Sequence, residues 1–251
     1  MKAYDQVILR VFEDVYQDNS DAHLLLFTKA DIENVIKQLD LALSTRNVPD
    51  IVYTYRSGRS PLPAKILATG SWAIEGKGKG QYAFRRLSRS PHFDIPADIR
   101  IIEILDSTPQ IVLKYQNSDE QAMLARLRYN RLIDLFTGLT CYHLQSHFRT
   151  TVSEIGQIEI DDLYIGIDAD GKGYILPLEA KIDSPKDQLG VIQVTQMVRF
   201  AAENFEELII RPIGVKAMPD GSLMFIEFTP DSDLNTIATE TYKRYLLVRE
   251  L

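Results

Sequence analysis

The residues best suited to chemistry lie on two neighbouring segments in the second half of the chain. Residues 157–168 read QIEIDDLYIGID, and a D-A-D-G-K-G connector separates them from a segment that reads YILPLEAK. Apolar and polar residues alternate in the first segment, and the connector is typical of a turn, so we predict two antiparallel strands. This pairing would bring Asp161 or Asp162 beside Glu179. Glu179 and Lys181 are two residues apart on one strand and therefore share a face.

These side chains predict a site for a hard divalent cation. Two carboxylates supply the oxygen ligands that Mg²⁺ prefers, and the carbonyl of Ala180 is a natural third ligand. Lys181 would lie beside a water molecule bound to the metal, where it would orient that water or help to deprotonate it. The expected chemistry is attack of the resulting hydroxide on a phosphodiester, with Mg²⁺ as cofactor or Mn²⁺ in its place.

The pattern resembles the PD-(D/E)XK nuclease superfamily. Its motif is an acid at a strand end, a variable gap, (D/E)-x-K on the next strand and often a glutamine on the following helix, here expected over residues 190–203. The chain departs from the motif where Ile160 stands in place of a frequent proline, and the gap to Glu179 is long. The matching residues are Asp161 or Asp162, Glu179, Ala180, Lys181, and Gln193 or Gln196.

The resemblance implies a fold and a function. The fold would be of the α/β (α+β) class, with a restriction-endonuclease-like mixed central sheet flanked by helices. The function would be Mg²⁺-dependent endonucleolytic cleavage of double-stranded DNA, as in a type II restriction endonuclease, by a homodimer with one site for each strand. The alternatives are a non-catalytic DNA-binding regulator that dimerises through a nuclease-like fold, and a hydrolase of small phosphoesters.

Two assignments within the site stay open. Asp161 is favoured over Asp162 as the metal ligand, because alternation along the strand puts it on one face with Glu159. The superfamily often has a further carboxylate on an upstream helix, and three residues are candidates for it: Glu120, Asp134 and Glu154.

Charge is distributed unevenly along the chain. The net charge is −7, yet residues 46–89 contain nine Lys and Arg against two acids, a local charge of +7. This asymmetry favours an anionic partner for the front of the chain, although such stretches are often plain solvated surface. The candidate DNA-binding residues are Arg56, Arg59, Lys77, Lys79, Arg85 and Arg86, together with Arg149, which precedes the candidate site.

The front segment has the order of elements of a winged helix. Apolar spacing predicts helices over residues 4–17 and 29–43, the second with a T-K-A-D capping box. Two strands, 71–74 and 81–87, bracket the basic glycine-rich loop EGKGKG, which would be the wing, and a recognition helix is expected within residues 50–68. We predict a winged-helix-like DNA-binding domain over residues 1–92 and a nuclease domain over residues 93–251; a small α+β cap with a basic surface is the alternative.

The remaining segments give weaker predictions. Residues 99–105 and 110–115 suggest a strand–turn–strand unit, and Ser118 would cap one helix over residues 119–137. Residues 139–149 suggest a further helix or an irregular turn. Residues 208–228 suggest the remaining strands and a hairpin, and residues 235–250 suggest a closing helix.

Several classes of protein are not expected. The sequence has no long apolar run that would span a membrane, and its start does not resemble a signal peptide. Cys141 is the only cysteine, so an internal disulfide and a multi-cysteine zinc site are excluded. We therefore expect a cytoplasmic protein with no membrane association and no organic cofactor.

Overall fold

The chain forms two compact units. The structure is a computed structural model that describes residues 2–17, 21–56, 60–117, 119–184 and 187–250. Unit 1 comprises residues 1–92 together with a short later segment, 151–158, and unit 2 comprises residues 93–150 and 159–251. Both units combine helices and strands, which agrees with the predicted mixed α and β class.

Unit 1 combines helices with a small antiparallel sheet whose first strand lies between the first two helices. Within its described residues the three strands have the order β1–β3–β2. Its elements are α1 (Ala3–Tyr16), β1 (Leu24–Thr28), α2 (Lys29–Gln38), a 3₁₀ turn (Thr45–Asn47), α3 (Val48–Arg56), α4 (Ala64–Leu67), β2 (Ser71–Gly76) and β3 (Gln81–Leu87).

The core of unit 1 follows from the apolar spacing of its helices. Val7, Ile8, Val11 and Phe12 form one buried stripe of α1, as expected for residues three and four apart. Phe12 lies edge-on against Trp72, the only tryptophan of the sequence, which is itself buried. Emission from this tryptophan therefore reports on the folding of unit 1.

The predicted capping box at the start of α2 is confirmed. The Thr28 hydroxyl accepts a hydrogen bond from the backbone N–H of Asp31, and the Asp31 carboxylate accepts one from the N–H of Thr28 at 2.7 Å. The two bonds satisfy backbone donors that a helix start leaves without partners. They fix the point at which β1 ends and α2 begins.

Residues 151–158, which we call the tip, join the end of a later strand to the start of the next. The tip packs tightly on β2, since a Cβ atom at Gly76 would collide with the backbone carbonyl oxygen of Ile155. The guanidinium of Arg56 donates a hydrogen bond to the carbonyl oxygen of Gln157 at 3.1 Å. The sequence did not predict that this segment belongs to unit 1.

Unit 2 is built on a mixed sheet. Its described residues give eight strands, in the order β4–β11–β10–β9–β7–β6–β5, with β8 paired to β7. None of the described helices is long and apolar enough to cross a membrane. The elements are β4 (Ile101–Leu105), α5 (Gln110–Tyr115), α6 (Glu120–Tyr129), α7 (Leu132–Thr137), β5 (Thr140–Val152), β6 (Gly156–Ile167), β7 (Gly173–Lys181), α8 (Val191–Asn204), β8 (Ile209–Ile210), β9 (Ile213–Ala217), β10 (Leu223–Phe228) and β11 (Thr239–Val248).

Two predictions about the first half of unit 2 were wrong. Residues 110–115 form helix α5 and not a strand; a short apolar run does not distinguish the two, and Pro109 starts the helix. The single helix expected over residues 119–137 is broken at Arg131, whose backbone is left-handed with φ 47°. Ser118, its expected cap, lies outside the described residues, and Asp119 caps α6 through the N–H of Ala122.

Two predicted helices are strands. Residues 139–149 belong mostly to β5, an edge strand with many exposed side chains. Residues 235–250 mostly form β11, which pairs with β10 on one side and with β4 on the other. Both segments are rich in threonine, tyrosine or histidine, and pairing in the sheet prevailed over an apolar spacing that a helix would also satisfy.

A polar cluster attaches the segment after β4 to the end of α6. The Asp106 carboxylate accepts hydrogen bonds from the N–H of Thr108 at 2.9 Å, from Arg126 at 2.9 Å and from Asn130 at 3.1 Å. Burial acts to raise the pKa of Asp106, but the hydrogen bonds from Thr108, Asn130 and Arg126 outweigh it and lower the pKa to about 2. The folded state therefore favours the ionised carboxylate.

Asp106→Asn tests this cluster through its pH dependence. Because the folded pKa lies below the unfolded value, the stabilisation is complete above pH ~4 and is lost as the pH falls towards 2. We expect the substitution to lower the free energy of unfolding by about 1–2 kcal/mol at pH 7, after allowing for screening by water, and by much less near pH 2, where the folded carboxyl is half protonated. Urea denaturation at several pH values measures this difference. The exposed Asp98→Asn serves as control, and a loss independent of pH would contradict the assignment.

Candidate active site

Strands β6 and β7 position the candidate catalytic residues. They pair antiparallel, and the ladder ends with Asp162 opposite Leu178, so Asp161 and Glu179 lie immediately beyond its last pair. Side chains alternate between the two faces of a sheet, and Asp161, Glu179 and Lys181 therefore share one face. The Asp161 carboxylate accepts a hydrogen bond from the N–H of Ala180 at 2.8 Å, which ties it to the strand that carries the other two.

Glu179 is the centre of the cluster. Its side chain is 3% exposed, and its Oε1 accepts hydrogen bonds from Lys181 Nζ at 2.7 Å and from Gln193 Nε2 on α8. Burial raises the pKa of Glu179, and the neighbouring Lys181 ammonium acts in the opposite direction. The glutamate is thus held in one orientation by a cation and an amide.

The cluster buries more negative charge than it neutralises. Burial raises the pKa of Asp161 well above its ordinary value, and repulsion from Glu179 and Glu120 raises it further. Glu120 begins α6, and its own pKa is raised by burial and by Glu179, while Lys181 lowers it. Of the three upstream candidates, Glu120 is thus the one whose charge acts on Asp161.

Lys181 is a bound cation in this arrangement. Its side chain is buried, which acts to lower its pKa, but Glu179 and Asp187 raise the pKa by a larger amount. Lys181 Nζ lies 3.6 Å from Asp187 Oδ1. A lysine held in this way donates hydrogen bonds and positive charge, which is compatible with the predicted role of orienting a water.

The loop after β7 is fixed by a second lysine. Lys216 Nζ, on β9, donates hydrogen bonds to the carbonyl oxygens of Asp187 at 2.7 Å, Ile182 at 3.1 Å and Ser184 at 3.3 Å. The Asp187 carboxylate also accepts the N–H of Ile182 at 2.8 Å. These bonds hold Asp187 at the position from which it contacts Lys181. No pattern in the sequence indicated this function for Lys216.

The prediction of Asp162 as a possible metal ligand was wrong, because protein donors occupy its carboxylate. Asp162 is fully buried, and its carboxylate accepts hydrogen bonds from Arg128 at 2.6 Å, Ser146 at 2.7 Å and Tyr164 at 2.9 Å, with His143 Nε2 at 3.2 Å. Its oxygens are occupied by protein donors on the face opposite to Asp161. The alternation that favoured Asp161 at the level of sequence explains this separation.

Three other candidates are placed away from the cluster or make no hydrogen bond to it. Asp134 pairs with Arg131 and accepts the N–H of Cys141. Glu154 lies in the tip, which groups with unit 1. Gln196 is buried on α8 but, within the described part of the chain, its side chain makes no hydrogen bond, so Gln193 is the glutamine that contacts Glu179.

The basic residues predicted to bind DNA are largely engaged in internal contacts. Glu75 pairs with both Lys77 and Arg85, each at 2.8 Å. Arg86 donates to the carbonyl oxygen of Thr69 and lies over the ring of Trp72. The local charge of +7 therefore overstates the charge available to a partner.

The other basic candidates differ in their surroundings. Arg149 is exposed and pairs with Glu159 at 3.3 Å, and Arg56 donates its hydrogen bond to the tip. Arg59 lies outside the described residues. Lys79 is exposed at the turn between β2 and β3, and it forms no ion pair with any residue that the structure describes.

The donor set of the cluster suits a hard divalent cation. The described residues contain no ready-made group of three or more acidic, histidine or cysteine side chains that could hold a metal. They do provide the Asp161 and Glu179 carboxylates and the Ala180 backbone on one strand pair, with Glu120 close enough to repel Asp161. A cation with oxygen ligands would relieve this repulsion.

No protein-family model, curated protein or solved structure matches the chain significantly.

The two adjacent aspartates offer a matched test of the site. We expect Asp161→Asn to raise the free energy of unfolding by about 0.5–2 kcal/mol in EDTA at pH 8, because it removes buried repulsion while its amide oxygen still accepts the Ala180 N–H. Asp162→Asn should lower it by about 3 kcal/mol or more, because Arg128 loses its buried partner. Urea denaturation followed by circular dichroism measures both. Equal losses in the two variants would contradict the division of roles.

Proposed function

We propose that this protein is a Mg²⁺-dependent endonuclease that hydrolyses phosphodiester bonds in double-stranded DNA, of the type II restriction kind. The observation that carries the proposal is the cluster of the buried Glu179 and Lys181 with the half-buried Asp161 and Gln193, and with Glu120 beside it. A fold gains no stability from burying repelling carboxylates, and such clusters are typical of functional sites.

The order of elements around the cluster supports the finer fold assignment. The acid-bearing strand β6 is followed by the antiparallel β7 with Glu179 and Lys181, then by α8 with Gln193, and then by β9, which pairs parallel to β7. This order is compatible with the restriction-endonuclease-like fold that the sequence suggested. Unit 1, with helices and a small sheet whose β2–β3 turn contains Lys77 and Lys79, is likewise compatible with a winged-helix-like domain.

Each residue of the cluster has a separate role in the proposed reaction. Asp161, Glu179 and the Ala180 carbonyl would hold Mg²⁺, which supplies a Lewis acid and a bound water of lowered pKa. The Lys181 ammonium donates a hydrogen bond to the attacking water or to a phosphate oxygen and stabilises negative charge that develops there. Gln193 keeps Glu179 in place through its amide.

The contacts of Lys181 with Glu179 and Asp187 fix its amine beside the proposed metal site. There it would orient the attacking water or help to remove its proton. Cleavage of both strands needs two such sites, so we propose a homodimer as the active species.

Metal binding is testable without any knowledge of the target sequence. We expect Mg²⁺ to raise the thermal unfolding temperature of the wild type, because binding at a hundredfold excess over Kd adds about 2.7 kcal/mol to the folded state. Glu179→Gln should abolish most of the increase, and the exposed Glu240→Gln should retain it. An increase that is equal in all three proteins would place metal binding elsewhere.

Cleavage itself is tested on plasmid and mixed-sequence DNA in Mg²⁺ or Mn²⁺. We expect discrete fragments from the wild type and a loss of at least about a hundredfold in rate for Glu179→Ala and Lys181→Ala. The exposed substitutions Glu240→Ala and Lys172→Ala are the matched controls. Tight DNA binding with no cutting by the wild type would favour a DNA-binding regulator. The absence of both binding and cutting would refute the proposal.

A further inference from the structure

Unit 1 contains a groove that the proposed cleavage chemistry does not use. Its volume is about 870 Å³, and it is walled by α3, by the β2–β3 turn and by the tip, all of which belong to unit 1. The residues of α3 that line it include Asp50, Tyr53 and Arg56. This helix is the one that a winged helix would insert into the major groove of DNA.

The position of α3 inside this groove limits what the helix is able to contact. A recognition helix enters the major groove as an exposed ridge. Here the helix lines a groove together with the tip, to which it is tied by the bond from Arg56 to the carbonyl of Gln157. The tip also packs on Gly76 with no room for a Cβ atom. Such a groove admits a single strand or a single nucleotide more readily than a duplex.

Arg56 indicates that the ligand carries negative charge. Its guanidinium is partly buried, and burial lowers its pKa. No carboxylate pairs with it among the residues that the structure describes; its one hydrogen bond goes to the Gln157 carbonyl. A cation removed from water in this way calls for an anionic partner. Arginine binds phosphate with two parallel hydrogen bonds, which makes phosphate a fitting partner.

The β2–β3 turn supports a phosphate at the same groove. Lys79 lies on this wall and is exposed. Gly78 and Gly80 adopt positive φ, and nothing lies within 4 Å of the point where a Cβ of Gly78 would stand. A backbone without side chains allows a phosphate to approach closely.

Two tyrosines in the groove suit a nucleobase. Tyr53 of α3 and Tyr82 of β3 both line the groove, as does Arg56. Aromatic faces stack on bases of any sequence. The carboxylate of Asp50, which accepts a hydrogen bond from Tyr4 at 2.8 Å, adds an acceptor for a base amino group.

We propose that this groove binds one unpaired nucleotide of DNA, with its phosphate at Arg56 and Lys79 and its base against Tyr53 and Tyr82. The inference rests on the proposed function, because it takes DNA as the substrate. An enzyme that accommodates an extruded nucleotide loses a few kcal/mol in unstacking and unpairing it, and loses least where the nucleotide is already unpaired. The groove would therefore favour DNA that contains such a position.

The test compares two duplexes of the same sequence, one fully paired and one with a single bulged nucleotide. Binding is measured by fluorescence anisotropy in EDTA, where no cleavage occurs. We expect the wild type to bind the bulged duplex at least about fivefold more tightly, which is the effect of about 1 kcal/mol. Tyr53→Ala, Arg56→Gln and Lys79→Ala should reduce this preference below twofold. Tyr53→Phe, which keeps the ring, and Lys65→Ala on α4 should retain it.

The outcomes separate this inference from the proposed function. Equal affinity of the wild type for both duplexes, or a preference that all three variants retain, overturns the groove as a nucleotide site. If the same wild-type protein then cuts plasmid DNA in Mg²⁺, the proposed function stands alone. Absence of binding to either duplex together with absence of cutting overturns both.

Two controls distinguish loss of the groove from unfolding of unit 1 and from binding of a free nucleotide. Trp72 emission shows whether unit 1 remains folded in each variant, and the exposed position of Lys79 makes Lys79→Ala the variant least prone to unfold. Free deoxynucleoside monophosphates are added as competitors. Competition confined to millimolar concentrations supports a nucleotide within DNA, whereas micromolar binding of a monophosphate without any preference for the bulge would assign the groove to a free nucleotide and overturn the proposal.

Discussion

The register between β6 and β7 determines whether a site exists at all. Asp161 and Asp162 are adjacent, and they point to opposite faces of the sheet because side chains alternate along a strand. Asp162 is fixed on its face by Arg128, Ser146 and Tyr164. A slip of one residue would exchange the two aspartates and leave Arg128 without a buried partner. The network around Asp162 thus selects the register that puts Asp161 beside Glu179.

On the other face, the fold tolerates an arrangement that weakens it. Burial raises the pKa values of Asp161, Glu179 and Glu120, and the charge of Glu179 raises those of Asp161 and Glu120 further. Lys181 neutralises part of the cluster, and Lys216 holds the loop whose Asp187 contacts that lysine. The cluster still holds more negative than positive charge, and a bound divalent cation would compensate the difference.

The sequence predicted the geometry of this face because strand alternation is a local rule. The pairing of the two strands, the shared face of Glu179 and Lys181 and the capping box at Thr28 all follow from spacing over a few residues. Long-range strand pairing could not be predicted from local spacing. The spacing of residues 235–250 also fits a helix, and they form a strand because they pair with β10 and β4. The choice of Glu120 over Asp134 and Glu154 also depends on where α6 begins relative to β6, which no local pattern contains.

The basic stretch at the front of the chain shows why a count of charges is an incomplete guide to a binding surface. Glu75, one of its two acids, engages both Lys77 and Arg85, so a single acid removes two of the nine cations from the surface. Arg86 serves the packing around Trp72 instead. Of the other cations in this stretch, Arg46 and Lys65 are exposed, and two line one groove: Arg56, which pairs with no carboxylate in the described chain, and the exposed Lys79. If unit 1 binds DNA as proposed, recognition would depend on close contacts in that groove more than on a broad positive field.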